Sequence, residues 1–234
     1  MGFAKRIYFE IGRNIRKISN LIFINKGFVL CATMGKIDRE REKFIYKYGD
    51  YVRFSSLELI AEEINKKKIS GCVAELGVYK GDFAKHINEI FPDRKFYLYD
   101  TFSGFDERDL KTENEKSFSS VKQNDFSYEN IEEILKKMKH RENCIIKKGY
   151  FPETTEGVFE KYVFVSIDVD LYEPTYNGLC YFYEHLERGG YIFVHDYNNS
   201  MFKGVKKAVQ LFTNEKDIPY FPLSDGCGSV IINK

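Results

Sequence analysis

The chain contains no tryptophan, only five prolines in 234 residues, and no apolar run near the length of about 18 residues that a membrane-spanning helix needs. The last absence excludes a transmembrane α-helix. Its five cysteines, Cys31, Cys72, Cys144, Cys180 and Cys227, are odd in number and widely spaced, with no C-x-x-C pair. That argues against a zinc site or a disulfide framework and leaves Cys72 and Cys144 as small buried hydrophobes. Reduced thiols fit a cytoplasmic setting. Net charge is only +1, so no global field recruits nucleic acid. There is also no basic stripe and no NPPY-like segment to hold a flipped base. The basic N-terminus lacks a continuous apolar core and a cleavage site, and Arg6 stands where a myristoylation signal needs Ser or Thr. The dinucleotide fingerprint G-x-G-x-x-G is missing because position 79 is Tyr.

What is present is an ordinary globular composition, 43% apolar and 30% charged, rich in Phe (21) and Tyr (17). Residues 1 to 50 form an N-terminal extension. There Ile7, Ile11, Ile15, Ile18 and Ile22 recur at three- and four-residue steps, an amphipathic helix pattern. Within residues 1 to 30, Lys5, Arg6, Arg13, Arg16, Lys17 and Lys26 face a single acid, Glu10. Such a helix packs on its own domain, where it covers the substrate, or on a second subunit, or rests its basic face on the inner surface of an anionic membrane.

From residue 51 to 234 strands and helices alternate. CVAEL (72–76), KFYLYD (95–100), CIIKK (144–148), YVFVSID (162–168) and GYIFVHD (190–196) read as strands. Helices are expected from near Asp82, over 130–140, at about 174–187 and at about 202–213, with a long polar excursion at 103–128. PYFPL and GSVIINK flank the turn-rich SDGCG and read as a closing hairpin. This pattern predicts an α/β, doubly wound, mostly parallel sheet ending in an antiparallel pair.

In such sheets ligands bind beyond the carboxyl ends of the strands. AELGVYKGDFAKHI (74–87) brings Glu75 to the end of the first strand, with Gly77 and Gly81 after it. Gly77 permits a tight turn and leaves room for a ligand against the backbone. Asp100 ends the second strand and is placed to accept both hydroxyls of a ribose. Asp82 disfavours a phosphate and suits a cationic ligand. A nucleoside with a positive charge and no phosphate cradle describes S-adenosylmethionine.

Asp168 and Asp196 end two further strands. If the strands are neighbours about 4.8 Å apart, the two carboxylates close on one divalent cation or on a substrate hydroxyl. Methyl transfer to an alcohol needs such a pair: a cation lowers the pKa of the hydroxyl, and a carboxylate takes its proton. Asp168 is the expected base and ligand, and Asp196 a ligand. His195 is a third ligand or a proton carrier, and Asp170 lines the substrate site or caps the next helix.

These stretches, with YLYDTFSGF, KKGYFPET, VSIDVDLYEPTYNGL and ERGGYIFVHDY, resemble the macrocin O-methyltransferase family (TylF/MycF type), bacterial sugar O-methyltransferases that use S-adenosylmethionine and Mg²⁺. The resemblance runs from about residue 55 to 233. It implies a Rossmann-like class I methyltransferase fold with a seven-stranded sheet. It implies cofactor contacts from Glu75, Gly77, Tyr79, Gly81, Asp100, Thr101, Phe102, Gly149 and Tyr150. It also implies Asp168 as base, a metal held by Asp168 and Asp196 with His195 beside them, and substrate contacts from Asp170, Tyr172 and Tyr197. The family usually carries two acids before the tyrosine of the fifth strand motif, where this chain has His195-Asp196. Mg²⁺ is the expected metal, with Mn²⁺ as the alternative. The family also implies a homodimer. The acceptor is expected to be a hydroxyl of a sugar, on a surface polysaccharide or a glycosylated metabolite. A catechol-type or other small-molecule O-methyltransferase, and a catalytically silent cofactor-binding subunit, are the alternatives.

Overall fold

The structure, a computed structural model, describes residues 50–234 together with positions 11, 12, 14, 15, 17–19, 21 and 22. The chain divides into two units, Met1–Lys43 and Phe44–Lys234. The described positions of the first are helical, and Ile11, Ile15, Ile18, Leu21 and Ile22 are exposed. Ile7, Cys31 and most basic residues of the extension lie outside the described residues. Among the described residues no helix is long and apolar enough to cross a membrane.

The second unit is built on seven strands: β1 (Cys72–Leu76), β2 (Phe96–Asp100), β3 (Cys144–Lys148), β4 (Tyr162–Ile167), β5 (Leu186–Val194), β6 (Phe221–Pro222) and β7 (Val230–Asn233). Their order across the sheet is β3-β2-β1-β4-β5-β7-β6. The first five pair in parallel, while β7 runs antiparallel to both β5 and β6. This is the expected doubly wound sheet with its closing antiparallel pair, the class I Rossmann-like arrangement. All residues of β1 and β4 are buried, which is why both read as mostly apolar runs, interrupted only by Glu75 and Ser166.

Helices cover both faces. Helix α1 (Tyr51–Lys66) buries Arg53, Leu57, Ile60, Ala61 and Ile64, a stripe at helical spacing, and Asp50 caps its first turn. With α2 (Ala84–Ile90) and Ile134 of α4 (Ile131–Lys136) it closes on Phe96, Phe164 and Phe193. On the other face α5 (Tyr172–His185) and α6 (Lys203–Lys216) pack Leu179, Phe182, Val209 and Phe212 against Leu76, Val165 and Ile192. Each of these fully buried side chains contributes roughly 1.5–3 kcal/mol of transfer free energy.

Several boundaries differ from the sequence-based expectation. The excursion at 103–128 contains a helix, α3 (Glu107–Lys116), held at its start by the Asp106 side chain. Strand β5 starts four residues before Gly190, because Leu186 already pairs with Tyr162 before the register shifts ahead of the Phe164–Tyr191 pair. Helix α2 begins at Ala84 rather than near Asp82 and spans only seven residues. The Asp82 carboxylate pairs with Lys137 at 3.1 Å.

Candidate active site

The strand order reverses between β1 and β4, and a cavity of about 380 Å³ opens at the carboxyl ends of those strands. Its walls include Glu75, Gly77, Tyr79, Asp100, Thr101, Gly149, Tyr150, Asp168, Asp170, His195 and Asp196. The remaining expected positions lie elsewhere. Gly81 (φ +74°) packs against Ile134 and Met138 instead of facing the cavity. Phe102 is fully buried in the core. Tyr172 packs at a tilt against Phe118 and stacks on Tyr176, and Tyr197 is buried with its hydroxyl 2.6 Å from that of Tyr220.

At the β1 end, Glu75 is buried and its Oε2 has no hydrogen-bond partner. Burial raises its pKa well above the carboxylate range, against the lowering pull of Arg53. Gly77 has φ +87°, and a Cβ there would collide with the backbone carbonyl of Asp168. The neighbouring strand, rather than ligand approach alone, therefore demands glycine at this position. Asp100 sets the loop that follows. Its Oδ2 accepts from the amides of Val78 (2.6 Å) and Tyr79 (2.8 Å), and its Oδ1 accepts from Phe102 (2.6 Å). A carboxylate has roughly four acceptor positions, so three are filled by backbone and little is left for a ribose. Tyr79 after β1 and Phe102 after β2 both hold positive φ, and these three bonds help to fix the two loops against each other.

Beyond β3, Gly149 donates its amide to the Asp100 carbonyl at 3.0 Å and brings Tyr150 to the cavity. The Tyr150 hydroxyl donates to Asp109 Oδ1 at 3.0 Å, and the Arg108 guanidinium lies 3.5 Å over its ring. Burial pushes the Asp109 carboxyl up to about 7, although the Tyr150 hydroxyl works the other way.

The second cluster sits where β4 and β5 end side by side. Asp168 donates its amide to the Leu76 carbonyl at 2.8 Å, and His195 donates to the Ile167 carbonyl at 2.9 Å. The ladder thus continues one residue past each strand and fixes both side chains. His195 Nδ1 lies 2.7 Å from Asp196 Oδ2 and 3.0 Å from Asp168 Oδ1. Asp168 Oδ2 accepts from Arg53 Nη2 at 3.0 Å, and Asp196 Oδ1 accepts from Asn199 at 2.6 Å. Asp170 and Asp196 both hold positive φ, and no capping role for Asp170 is seen at the start of α5, where Leu171 is the cap residue.

Burial disfavours each charge here, yet the partners prevail. His195 and Arg53 hold the Asp168 carboxyl well below the usual range, and His195 lowers that of Asp196. The two aspartates raise the His195 imidazolium to about 10 despite its burial. Asp170 goes the other way: burial, with Asp168 and Asp196 beside it, raises its pKa well above the ordinary value.

Carboxylate oxygens of Asp168, Asp170 and Asp196 lie within 4.8 Å of one another. Three converging oxygens of high negative charge fit a hard divalent cation. His195 Nδ1 stands between two of these acids, so Asp170 completes the oxygen set more directly than His195 does. The cavity also includes Arg53 and an aromatic wall of Tyr79, Phe105, Phe126 and Phe202, with Phe126 in ring contact with the other three. Of these, the sequence motifs point only to Tyr79. The sequence signal for Arg53 is faint: an arginine on the same helix face as Leu57, Ile60 and Ile64.

The family model for macrocin-O-methyltransferase (TylF) matches residues 40–225. Among solved structures, the O-methyltransferase NovP superposes with TM-score 0.63 at 21% identity, covering 78% of this chain and 79% of its own. The calicheamicin methyltransferase CalS11 gives 0.62 at 18% identity with the same coverage, 78% and 79%. A putative caffeoyl-CoA O-methyltransferase from Staphylococcus aureus gives 0.51 at 13% identity over 98% of both chains. These likenesses show a shared fold. No curated protein matches the chain. The family match spans both strand-end clusters, and on that ground the chain belongs to the macrocin O-methyltransferase (TylF) family and is an O-methyltransferase.

Proposed function

We propose that the enzyme transfers the methyl group of S-adenosylmethionine to a hydroxyl of a sugar. The observation that carries this is the meeting of the two strand-end clusters in one cavity: the Gly77–Asp100 crevice opens directly onto Asp168 and Asp196. The sulfonium and ammonium of the cofactor suit a cavity edged by Glu75, Asp100 and Asp170, and the unpartnered Glu75 Oε2 is an acceptor for the ammonium. Asp109 and Tyr150, beyond β3, offer polar groups to the adenine.

Asp168, Asp170 and Asp196 are the residues that would hold a divalent cation, Mg²⁺ or Mn²⁺. When bound, it would supply charge that lowers the pKa of the acceptor hydroxyl. The chain itself does the rest. The rim of β1 and β4 orients the hydroxyl for in-line attack on the methyl carbon, so the C–O bond forms as the S–C bond breaks. Asp168 takes the hydroxyl proton, and His195 keeps its carboxylate aimed at the cavity. The aromatic wall excludes water and offers flat faces to a sugar ring. The sugar is proposed to belong to a surface polysaccharide or a glycosylated metabolite. CalS11, of similar fold, is described as a TDP-rhamnose 3'-O-methyltransferase. The same wall favours, as a second reading, an acceptor carrying an aromatic ring.

Incubation with methyl-labelled S-adenosylmethionine and a panel of sugar nucleotides, glycolipids and catechols tests both. Label on a sugar hydroxyl is the expected result. Calorimetry showing tight NADH binding and no S-adenosylmethionine binding would overturn the proposal.

A further inference from the structure

Arg53 holds Asp168 by one hydrogen bond, from Nη2 to Oδ2 at 3.0 Å. This is not the two-pronged grip by which a guanidinium locks a carboxylate. Its Nε is buried with no partner. The guanidinium carbon rides 3.8 Å from the centre of the Phe83 ring. A cation carried on an aromatic face keeps its in-plane N–H groups free to change acceptor.

Asp168 is also one of the three carboxylates that converge. A divalent ion sits about 2.0–2.6 Å from a ligating oxygen. An ion on Asp168 and the guanidinium at its present distance would be two like charges within about 5 Å, where burial leaves them poorly screened. Asp168 does not serve both well.

We propose that Arg53 is the resident counter-ion of Asp168 and exchanges with the divalent cation. This presupposes the cation site proposed above. On cation binding, Arg53 releases Oδ2 and stays carried on the Phe83 face. Arg53 is thus a positioning residue acting through Asp168. It keeps the aspartate aimed before the cation arrives, and its charge weakens cation binding.

Mn²⁺ titration followed by electron paramagnetic resonance, without cofactor or acceptor, tests the exchange on the full chain and on Arg53→Met and Arg53→Lys. Urea unfolding of each variant checks that it is folded. Arg53→Met is expected to bind Mn²⁺ at least about fivefold more tightly, and Arg53→Lys close to the parent value. An arginine with a merely structural role predicts equal or weaker binding in Arg53→Met, and that result overturns the exchange. Should Arg53→Met not fold, the Nε–H resonance of Arg53 in the parent protein decides: it moves on Mg²⁺ addition if the exchange occurs, and a fixed signal overturns it. Failure of the parent chain and Arg53→Met alike to bind Mn²⁺ removes the cation site and the exchange together. Failure to bind S-adenosylmethionine removes the cofactor proposal and leaves the Mn²⁺ comparison intact.

Discussion

Asp168 and His195 meet at 3.0 Å although they follow different strands, because Ile167 and Val194 are paired in register at the ends of β4 and β5. The proton-accepting role proposed for Asp168 depends on that meeting. Asp168→Asn keeps the shape and removes the base. It is expected to hold S-adenosylmethionine within about twofold of the parent affinity and to lose at least about 100-fold in turnover. Steady-state kinetics beside calorimetry measures both, and an active Asp168→Asn enzyme would take the residue out of the proton-transfer step.

Chelation addresses the three converging carboxylates. Activity should fall to background in excess EDTA and return on addition of Mg²⁺ or Mn²⁺. Undiminished turnover in EDTA would mean that Arg53 and His195 alone balance the aspartates.

Asp109 links the cavity to stability. Its carboxyl is raised from 3.8 to about 7, chiefly by burial. Between those values the folded chain keeps a proton that the unfolded chain has released. Its contribution therefore becomes less favourable as pH rises from about 4 to 7, and stays so above. Asp109→Asn removes that dependence. Urea midpoints should nearly coincide for parent and variant at pH 4, with the variant gaining up to about 3 kcal/mol relative to the parent by pH 8. Parallel pH profiles for the two proteins would contradict the assignment.

Two glycines separate backbone strain from collision. Gly157 has φ +72° and open space within 4 Å of where an added methyl would stand, so Gly157→Ala should cost only about 1–2 kcal/mol. Gly77 has φ +87° and faces the Asp168 carbonyl, so Gly77→Ala should cost clearly more and also displace Asp168. Thermal unfolding ranks the pair, and equal losses would show that the β4 carbonyl moves aside freely.

Strands β1 to β5 are legible in the sequence because each carries a short apolar run, fully buried in β1 and β4 and only partly buried in the edge strand β3, and the acids that end β2 and follow β4 and β5 stand out against those runs. Helix α3 is not legible: of ERDLKTENEK only Leu110 is apolar, so no periodic stripe marks it. Its anchors are polar, notably Glu113 accepting from the Tyr172 amide at 2.8 Å. Tyr172 and Tyr197 lie beside motif residues in sequence, but helix and loop geometry turns them into packing contacts. Arg53 is hidden in the sequence because its partner is 115 residues away and the contact depends on how α1 docks. Asp100 stands at the expected position but carries a heavier backbone load than its place at a strand end suggests.

Asp50 receives the Arg53 amide on Oδ1 and the Gly226 amide on Oδ2, at 3.0 and 3.1 Å. One side chain therefore fastens the entrance helix to the β6–β7 connector. Anyone reshaping that connector to broaden acceptor scope would also be adjusting, through this shared clasp, the arginine that sits on Asp168.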